Sequence, residues 1–385
     1  MKIILLMNLG SPKTASPDDV GAYLNEFLMD KRVIDLPFIL RWILVKLVIV
    51  PGRKLESSTL YKKIWLENSF PLIEITRELA NKVSKFSKKP TYFAMRYGTH
   101  DLDDVFKKIK ANHKDIESIQ CFPLYPHYTQ SSYETAVVSL AEHCDRHDLF
   151  EKVSVFKPYY SDSKYIECLA NSIKNSEDLT KYDHVLFTYH GIPLRHLKKA
   201  DTTNTCVKND CFCPIGQSDK PRTIKRDSSL YFSKGFENEI DPFNCPSNSD
   251  NKVCYKNQLE ITSINTAKKL KLKNYSVSYQ SRLGKSPWLT PSTKNVLSNL
   301  GKHGVKKLCV VAPGFSADCL ETIVELGEEG REQFMENGGL EYTVVPCLNA
   351  NDEWGQLISD WAHDEKGFYS LDSKDIDSNS LIGKF

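Results

Sequence analysis

An excess of either charge is missing. Lys and Arg number 51 against 49 Asp and Glu, a formal net charge of +2, which gives no electrostatic footprint for a nucleic acid. No glycine-rich phosphate fingerprint follows any apolar run, and this argues against a nucleotide site. No run is long enough to cross a bilayer. The longest, Leu36 to Val50, is interrupted by Arg41 and Lys46; it reads as a buried helix or as an apolar lip resting on a membrane surface. A leader is not expected either, because the chain opens on the strand-like run Lys2–Met7 followed by Asn8-Leu9-Gly10. The eleven cysteines are odd in number and lack a secretory context, so a disulfide framework is not expected.

What is present is a chain of 385 residues, 41% of them hydrophobic, enough for more than one domain. Short apolar runs alternate with helix-length segments: Ile3–Met7, Tyr92–Met95, Ile119–Phe122, Val153–Phe156, His184–Thr188, Tyr275–Tyr279, Leu308–Val311 and Tyr342–Val345. That alternation predicts βαβ units and parallel sheets. The expected fold is α/β, with two similar doubly wound domains of four parallel strands each. The first covers 1–158 with the lip at about 36–50, joined by a helix at about 351–364. The second covers 159–350 with an insertion at about 201–254, and 365–385 reads as a polar tail. In such sheets ligands bind beyond the carboxyl ends of the strands.

His190 follows the run His184–Tyr189 and precedes Gly191-Ile192-Pro193. A histidine held at a strand end by a glycine turn faces the crevice, and neutral imidazole binds a metal or accepts a proton near neutral pH. After the Leu308–Val311 run, Asp318, Glu321, Glu325 and Glu329 recur at steps of three, four and four. With Ser316 as N-cap and Asp318 in the first turn, that spacing puts four carboxylates on one helix face. Either the stripe is a solvated acidic face or it binds cations or protons. A histidine and carboxylates from neighbouring strand ends suit a divalent metal such as ferrous iron. Trp288, Phe315, Tyr97, Tyr125 and Tyr128 also follow strands and suit the wall of a large aromatic ligand.

These residues resemble those of the ferrochelatases over nearly the whole chain. The resemblance is carried by Asn8-Leu-Gly-Ser-Pro12, Tyr23 to Pro37, Pro123-Leu-Tyr-Pro126 and Tyr189-His-Gly-Ile-Pro193. Its most specific parts are Gln280-Ser-Arg-Leu-Gly-Lys-Ser-Pro-Trp-Leu289 and Pro313-Gly-Phe-Ser-Ala-Asp-Cys-Leu-Glu-Thr322. It implies two Rossmann-like domains (the chelatase fold) and a lyase that inserts ferrous iron into protoporphyrin IX with release of two protons, the last step of haem biosynthesis. It implies His190 and Glu321 as metal-binding and proton-abstracting residues, and Asp318, Glu325 and Glu329 as an acidic path behind them. Leu9, Arg96, Tyr97, Tyr128, Trp288 and Phe315 are implied to line the porphyrin. Phe70 stands where many members have a serine, and Thr129-Gln130-Ser131 replaces a cysteine-containing triplet.

Five cysteines cluster in the insertion. Cys206, Cys211 and Cys213, with Cys254 brought back by a loop, resemble the internal iron–sulfur segment of one ferrochelatase subgroup. The spacing admits a 2Fe–2S cluster, a zinc site or free thiols, and Cys245 is the spare fourth ligand. The other six (Cys121, Cys144, Cys168, Cys309, Cys319 and Cys347) read as small buried hydrophobes. Expected partners are protoporphyrin IX, ferrous iron and a membrane surface, with no nucleic acid, in a cytoplasmic protein peripheral to the inner membrane. Oligomeric state is not legible. The rival functions are a chelatase for another tetrapyrrole, such as coproporphyrin, or another metal, and a non-catalytic haem or iron–sulfur sensor.

Overall fold

The computed structural model describes residues 1–201, 253–282, 284, 286–372, 375 and 381. Among the described residues nine strands form two sheets. They are β1 (Lys2–Ser11), β2 (Thr91–Gly98), β3 (Ser118–Pro123), β4 (Val153–Phe156), β5 (His184–His190), β6 (Tyr275–Gln280), β7 (Lys307–Val311), β8 (Glu341–Val344) and β9 (Phe368–Ser370). The chain divides into two compact units. Unit 1 is Met1–Pro158 with Ala317–Leu320 and Asn349–Phe385; unit 2 is Tyr159–Ser316 with Glu321–Leu348.

In unit 1 the strand order is β2-β1-β3-β4-β9. Strands β1 to β4 pair in parallel and β9 runs antiparallel to β4. Ile3 to Met7 are wholly buried, as a parallel strand covered on both faces must be, and this is why that run is continuously apolar. Helix Pro71–Ser87 starts on a proline, whose missing N–H costs nothing there. It buries Leu72, Ile73, Thr76, Leu79, Ala80 and Val83 at helical spacing. Against it lies helix Asp352–Asp364, capped by Asn351, whose side chain accepts from the Trp354 N–H. The two helices meet closely at Gly355, where a Cβ would stand 3.2 Å from the Phe86 ring. An ion pair from Lys82 to Asp352 at 2.8 Å ties their ends.

Unit 1 adds to its four parallel strands a fifth, antiparallel one, Phe368–Ser370, which lies within the segment expected as a polar tail. Three residues are too few to register as a run, yet Phe368 packs its ring 5.1 Å from Phe122 and 5.1 Å from Phe156. Those contacts recruit it to the sheet edge.

Unit 2 has the order β6-β5-β7-β8, all parallel. Its core collects Leu186, Val296, Leu297, Leu300, Leu308, Val310 and Phe334, each worth about 1.5–3 kcal/mol when fully buried. Helix Thr293–Lys302 supplies three of these from one face, and Ser292 caps it by accepting from the Asn295 N–H. With β5 between β6 and β7, its carboxyl end occupies the middle of the sheet.

Candidate active site

His190 is the last residue of β5 and pairs in register with Gln280, the last of β6. Its ring is exposed. Nδ1 lies 2.6 Å from the Gly191 carbonyl. A carbonyl only accepts, so Nδ1 carries the proton and the neutral ring keeps its lone pair on Nε2. The turn beneath it is locked. The Gly191 N–H donates to the Gln280 carbonyl at 2.7 Å, and a Cβ on residue 191 would stand 3.1 Å from that same oxygen. The Tyr255 hydroxyl donates to the His190 carbonyl at 3.0 Å, and buried Tyr189 shares a hydrogen bond with Ser263 at 2.7 Å. Trp288 stands beside the histidine with ring centroids 6.4 Å apart. Its segment bonds to the residues after Gly191, Leu289 N–H donating to the Ile192 carbonyl at 3.1 Å.

The carboxylates sit on a helix of unexpected winding. Glu321–Glu329 is a π-helix, with i to i+5 bonds, a geometry that is rare and frequent at functional sites. A π turn takes more residues than the 3.6 of an α-helix, so steps of four lie near one full turn and keep Glu321, Glu325 and Glu329 aligned. Gly330 ends the segment. A Cβ there would come within 2.6 Å of the Tyr342 hydroxyl, which donates to the Leu326 carbonyl at 2.8 Å. Asp318 does not share the stripe. It precedes the helix and belongs to unit 1, where its N–H donates to Asn349 Oδ1 at 2.8 Å and its carboxylate accepts from Asn349 Nδ2 at 2.6 Å. The expected first-turn position for Asp318, with Ser316 as cap, is therefore corrected.

Glu325 is half-buried. Burial raises its carboxyl pKa and the neighbouring Glu321 charge adds to this. Hydrogen bonds from Ser281 and the field of His190 oppose the rise, and the net direction is upward. Ser281, Gln280, Trp288, Tyr279, Glu325 and Glu329 line part of a cavity of about 770 Å³ in unit 2, a size that suits a small organic ligand. Phe315 is partly buried against the unit 2 core.

In unit 1 the predicted ligand-lining residues fare differently. Leu9 and Arg96 are half-buried. Arg96 donates to Asp30 at 2.7 Å and, through Nε, to Thr135 Oγ1 at 2.9 Å. Tyr97 and Tyr128 are each 1% exposed. The Tyr97 hydroxyl donates to Asp30 at 2.9 Å and that of Tyr128 to Glu134. Glu134 is in turn paired with Arg32 at 2.8 Å. Both tyrosines, expected along the ligand wall, are thus packed within unit 1 with their hydroxyls engaged. Nothing in the spacing of their partners Asp30, Glu134 and Thr135 marks them, and Ser281 is marked in the sequence only as part of the Gln280-Ser-Arg motif. Phe70, at the departure from the family pattern, lies buried among Tyr61 and Trp65. Cys206, Cys211, Cys213 and Cys245 lie outside the described residues. Cys254 is buried at the N-terminus of helix Tyr255–Leu270. No group of three or more possible metal ligands occurs among the described residues.

Comparison with known proteins gives a consistent answer. The family model described as Ferrochelatase matches residues 2–366. The chain is 37% identical to the ferrochelatase of Pseudomonas putida strain F1 over 363 residues, 93% of this chain and 97% of that protein. It is 38% identical to the ferrochelatase of Opitutus terrae over 355 residues, 90% of this chain and 93% of that one. Among solved structures, SirB from Bacillus subtilis with Fe3+ is similar in fold, with a TM-score of 0.50 at 11% identity, covering 96% of this chain and 99% of that one.

Proposed function

The chain belongs to the ferrochelatase family and inserts ferrous iron into protoporphyrin in haem biosynthesis, and from that premise we propose which residues do it. The two pyrrole N–H protons leave as Fe2+ enters, and no electron is transferred. His190 Nε2 accepts a pyrrole proton or coordinates the incoming ion, and Glu321 shares the role. Glu325 and Glu329 supply the ion from behind Glu321 along the π-helix. Asp318 extends the acidic path by the family resemblance alone. Leu9, Arg96, Trp288 and Phe315 line the porphyrin. A ring bent out of plane exposes its nitrogen lone pairs, so rigid aromatic walls promote metal entry. The observation that carries this reading is the Nδ1–H of His190 committed to Gly191 at 2.6 Å, which fixes the free lone pair on Nε2. The test is a panel of ferrous iron, zinc and cobalt against protoporphyrin IX and coproporphyrin, run on wild type and His190→Ala. Turnover should be greatest with ferrous iron and protoporphyrin IX and should fall at least about a hundredfold in the variant, while porphyrin fluorescence still reports binding. Retained turnover in the variant removes the assignment.

The same reading extends to two neighbouring features. Phe38, Ile39, Leu40, Trp42, Leu47 and Val48 are all exposed, an apolar surface that suits peripheral contact with the inner membrane of a cytoplasmic protein. No helix among the described residues is long and apolar enough to cross a membrane. Cys254 is the buried N-cap residue of helix Tyr255–Leu270, and its sulfur is the one member of the expected ligand set within the described residues. With Cys206, Cys211 and Cys213 it would hold a 2Fe–2S cluster that ties down a polar insertion and takes no part in the chemistry. Near two irons per chain with visible absorption, bleached by Cys254→Ser and not by Cys245→Ser, is the expected result. Colourless protein with stoichiometric zinc defeats it.

A further inference from the structure

Glu325 is held by one residue at both of its oxygens. The Ser281 N–H donates to Oε1 at 2.9 Å and the Ser281 hydroxyl to Oε2 at 2.7 Å. Ser281 does this from a left-handed backbone, φ 59°, a conformation that costs a non-glycine residue energy and persists only where the surroundings impose it. Its neighbours impose it. Gln280 ends β6 paired with His190, and the Ser281 carbonyl lies 3.3 Å from where a Cβ of Gly191 would be. Positive φ at the strand end sets the direction of the Ser281 side chain, whose hydroxyl joins its own N–H on the Glu325 carboxylate. Ser281 is thus the joint between the His190 turn and the acidic stripe.

Such a joint answers a definite difficulty. Glu321 and Glu325 repel one another, because like charges a helical turn apart are destabilising, and a glutamate side chain has the freedom to swing away. Each carboxylate oxygen keeps a lone pair after accepting one hydrogen bond, so a held carboxylate can still meet a cation. We propose that Ser281 is a positioning residue for iron delivery, fixing Glu325 behind Glu321 so that the ion finds an ordered pair of carboxylates on its way to His190. This rests on the reading of Glu325 as part of the acidic path.

The experiment is a double-mutant cycle on the whole enzyme with Ser281→Gly and Glu325→Gln, reading KM for ferrous iron, KM for protoporphyrin, kcat and melting temperature. Glycine accepts positive φ without strain and keeps the N–H, so only the hydroxyl is lost. The expected result is a rise of about tenfold in KM for iron, the scale of a hydrogen bond to a charged group. KM for protoporphyrin and kcat should change less than about twofold, within the same scale of neutral change. The double variant should be no worse than Glu325→Gln alone, because coupled residues are non-additive. A rise in iron KM from Glu325→Gln with none from Ser281→Gly, or additive effects of the two, overturns the positioning role and spares the path. No effect from either overturns both. If Ser281→Gly melts early, Ser281→Ala is judged by the same criteria.

Discussion

Two polar clusters, one around Asp30 in unit 1 and one around His190 in unit 2, are treated in opposite ways. In unit 1, Asp30 accepts from Arg96, Tyr97, Thr135 and the Arg32 N–H, and Arg32 passes on to Glu134 and Tyr128. Burial pushes the Asp30 carboxyl up, but the Arg96 charge and those hydrogen bonds outweigh it, and it sits below its ordinary value. In unit 2, His190 is exposed with Nε2 outside the Gly191 bond, and the Gln280 amide nitrogen is buried with no hydrogen-bond partner among the described residues. The difference teaches that a charge closed in a network serves the fold. A site has to leave valences open, and the cost of doing so is local.

The sharpest way to test that contrast is to remove one residue from each unit. His190→Ala should lower kcat by about 10²–10⁴-fold, the range of a lost proton-transfer group, with an unchanged melting temperature. Glu134→Ala should do the reverse. Leaving Arg32 buried without its partner costs about 3–5 kcal/mol, read as a shift in the urea midpoint, while activity per folded molecule holds. Should the first variant unfold the protein, or the second lose activity without losing stability, the contrast fails.

Acid should bring the units together again. His127 in unit 1 and His184 in unit 2 are buried, and burial pushes each pKa down to about 3. In the unfolded chain a histidine binds a proton below about 6.5. Between there and about pH 3 the unfolded state holds more protons, so stability falls as pH falls, by about 1.4 kcal/mol per pH unit for each histidine. Melting curves from pH 7 to 5 should show this loss, and His184→Gln should reduce it. A flat profile above pH 5 would mean that neither histidine stays neutral. The smallest effect is expected at the lip. Trp42→Glu should change stability by no more than about 0.5 kcal/mol, as an exposed position allows, yet abolish flotation with liposomes.

Much of this was legible. All eight predicted strands form, because buried parallel strands are written as unbroken apolar runs, and the glycine turn marked His190 at the end of β5. The acidic spacing located Glu321, Glu325 and Glu329, although it did not disclose the winding beneath them. Steps of four fit an α-helix and a π-helix almost equally, and only the bonds of the folded chain decide. The left-handed Ser281 was invisible for a related reason, since serine has no preference for that conformation and is driven into it by tertiary contacts. Arg96 and Tyr97 were recognised as notable, but their carboxylate partner Asp30 is 66 residues from Arg96, beyond any local pattern. Phe368 to Ser370 is too short to read as a strand without Phe122 and Phe156 in view.

The four-residue excursion of Ala317–Leu320 into unit 1, with the return of the chain there from Asn349, has a consequence for biogenesis. Leaving the ribosome, the first 158 residues carry four strands of their sheet. They lack helix Asp352–Asp364, which packs on helix Pro71–Ser87, and the edge strand Phe368–Ser370. Unit 2 is drawn mainly from the intervening residues and is complete first. Unit 1, whose first strands precede unit 2 in the chain, therefore closes only after unit 2 has been made. A truncation before Asp352 would injure the sheet that carries β1, and the flank of β4 stays open until Phe368–Ser370 is made.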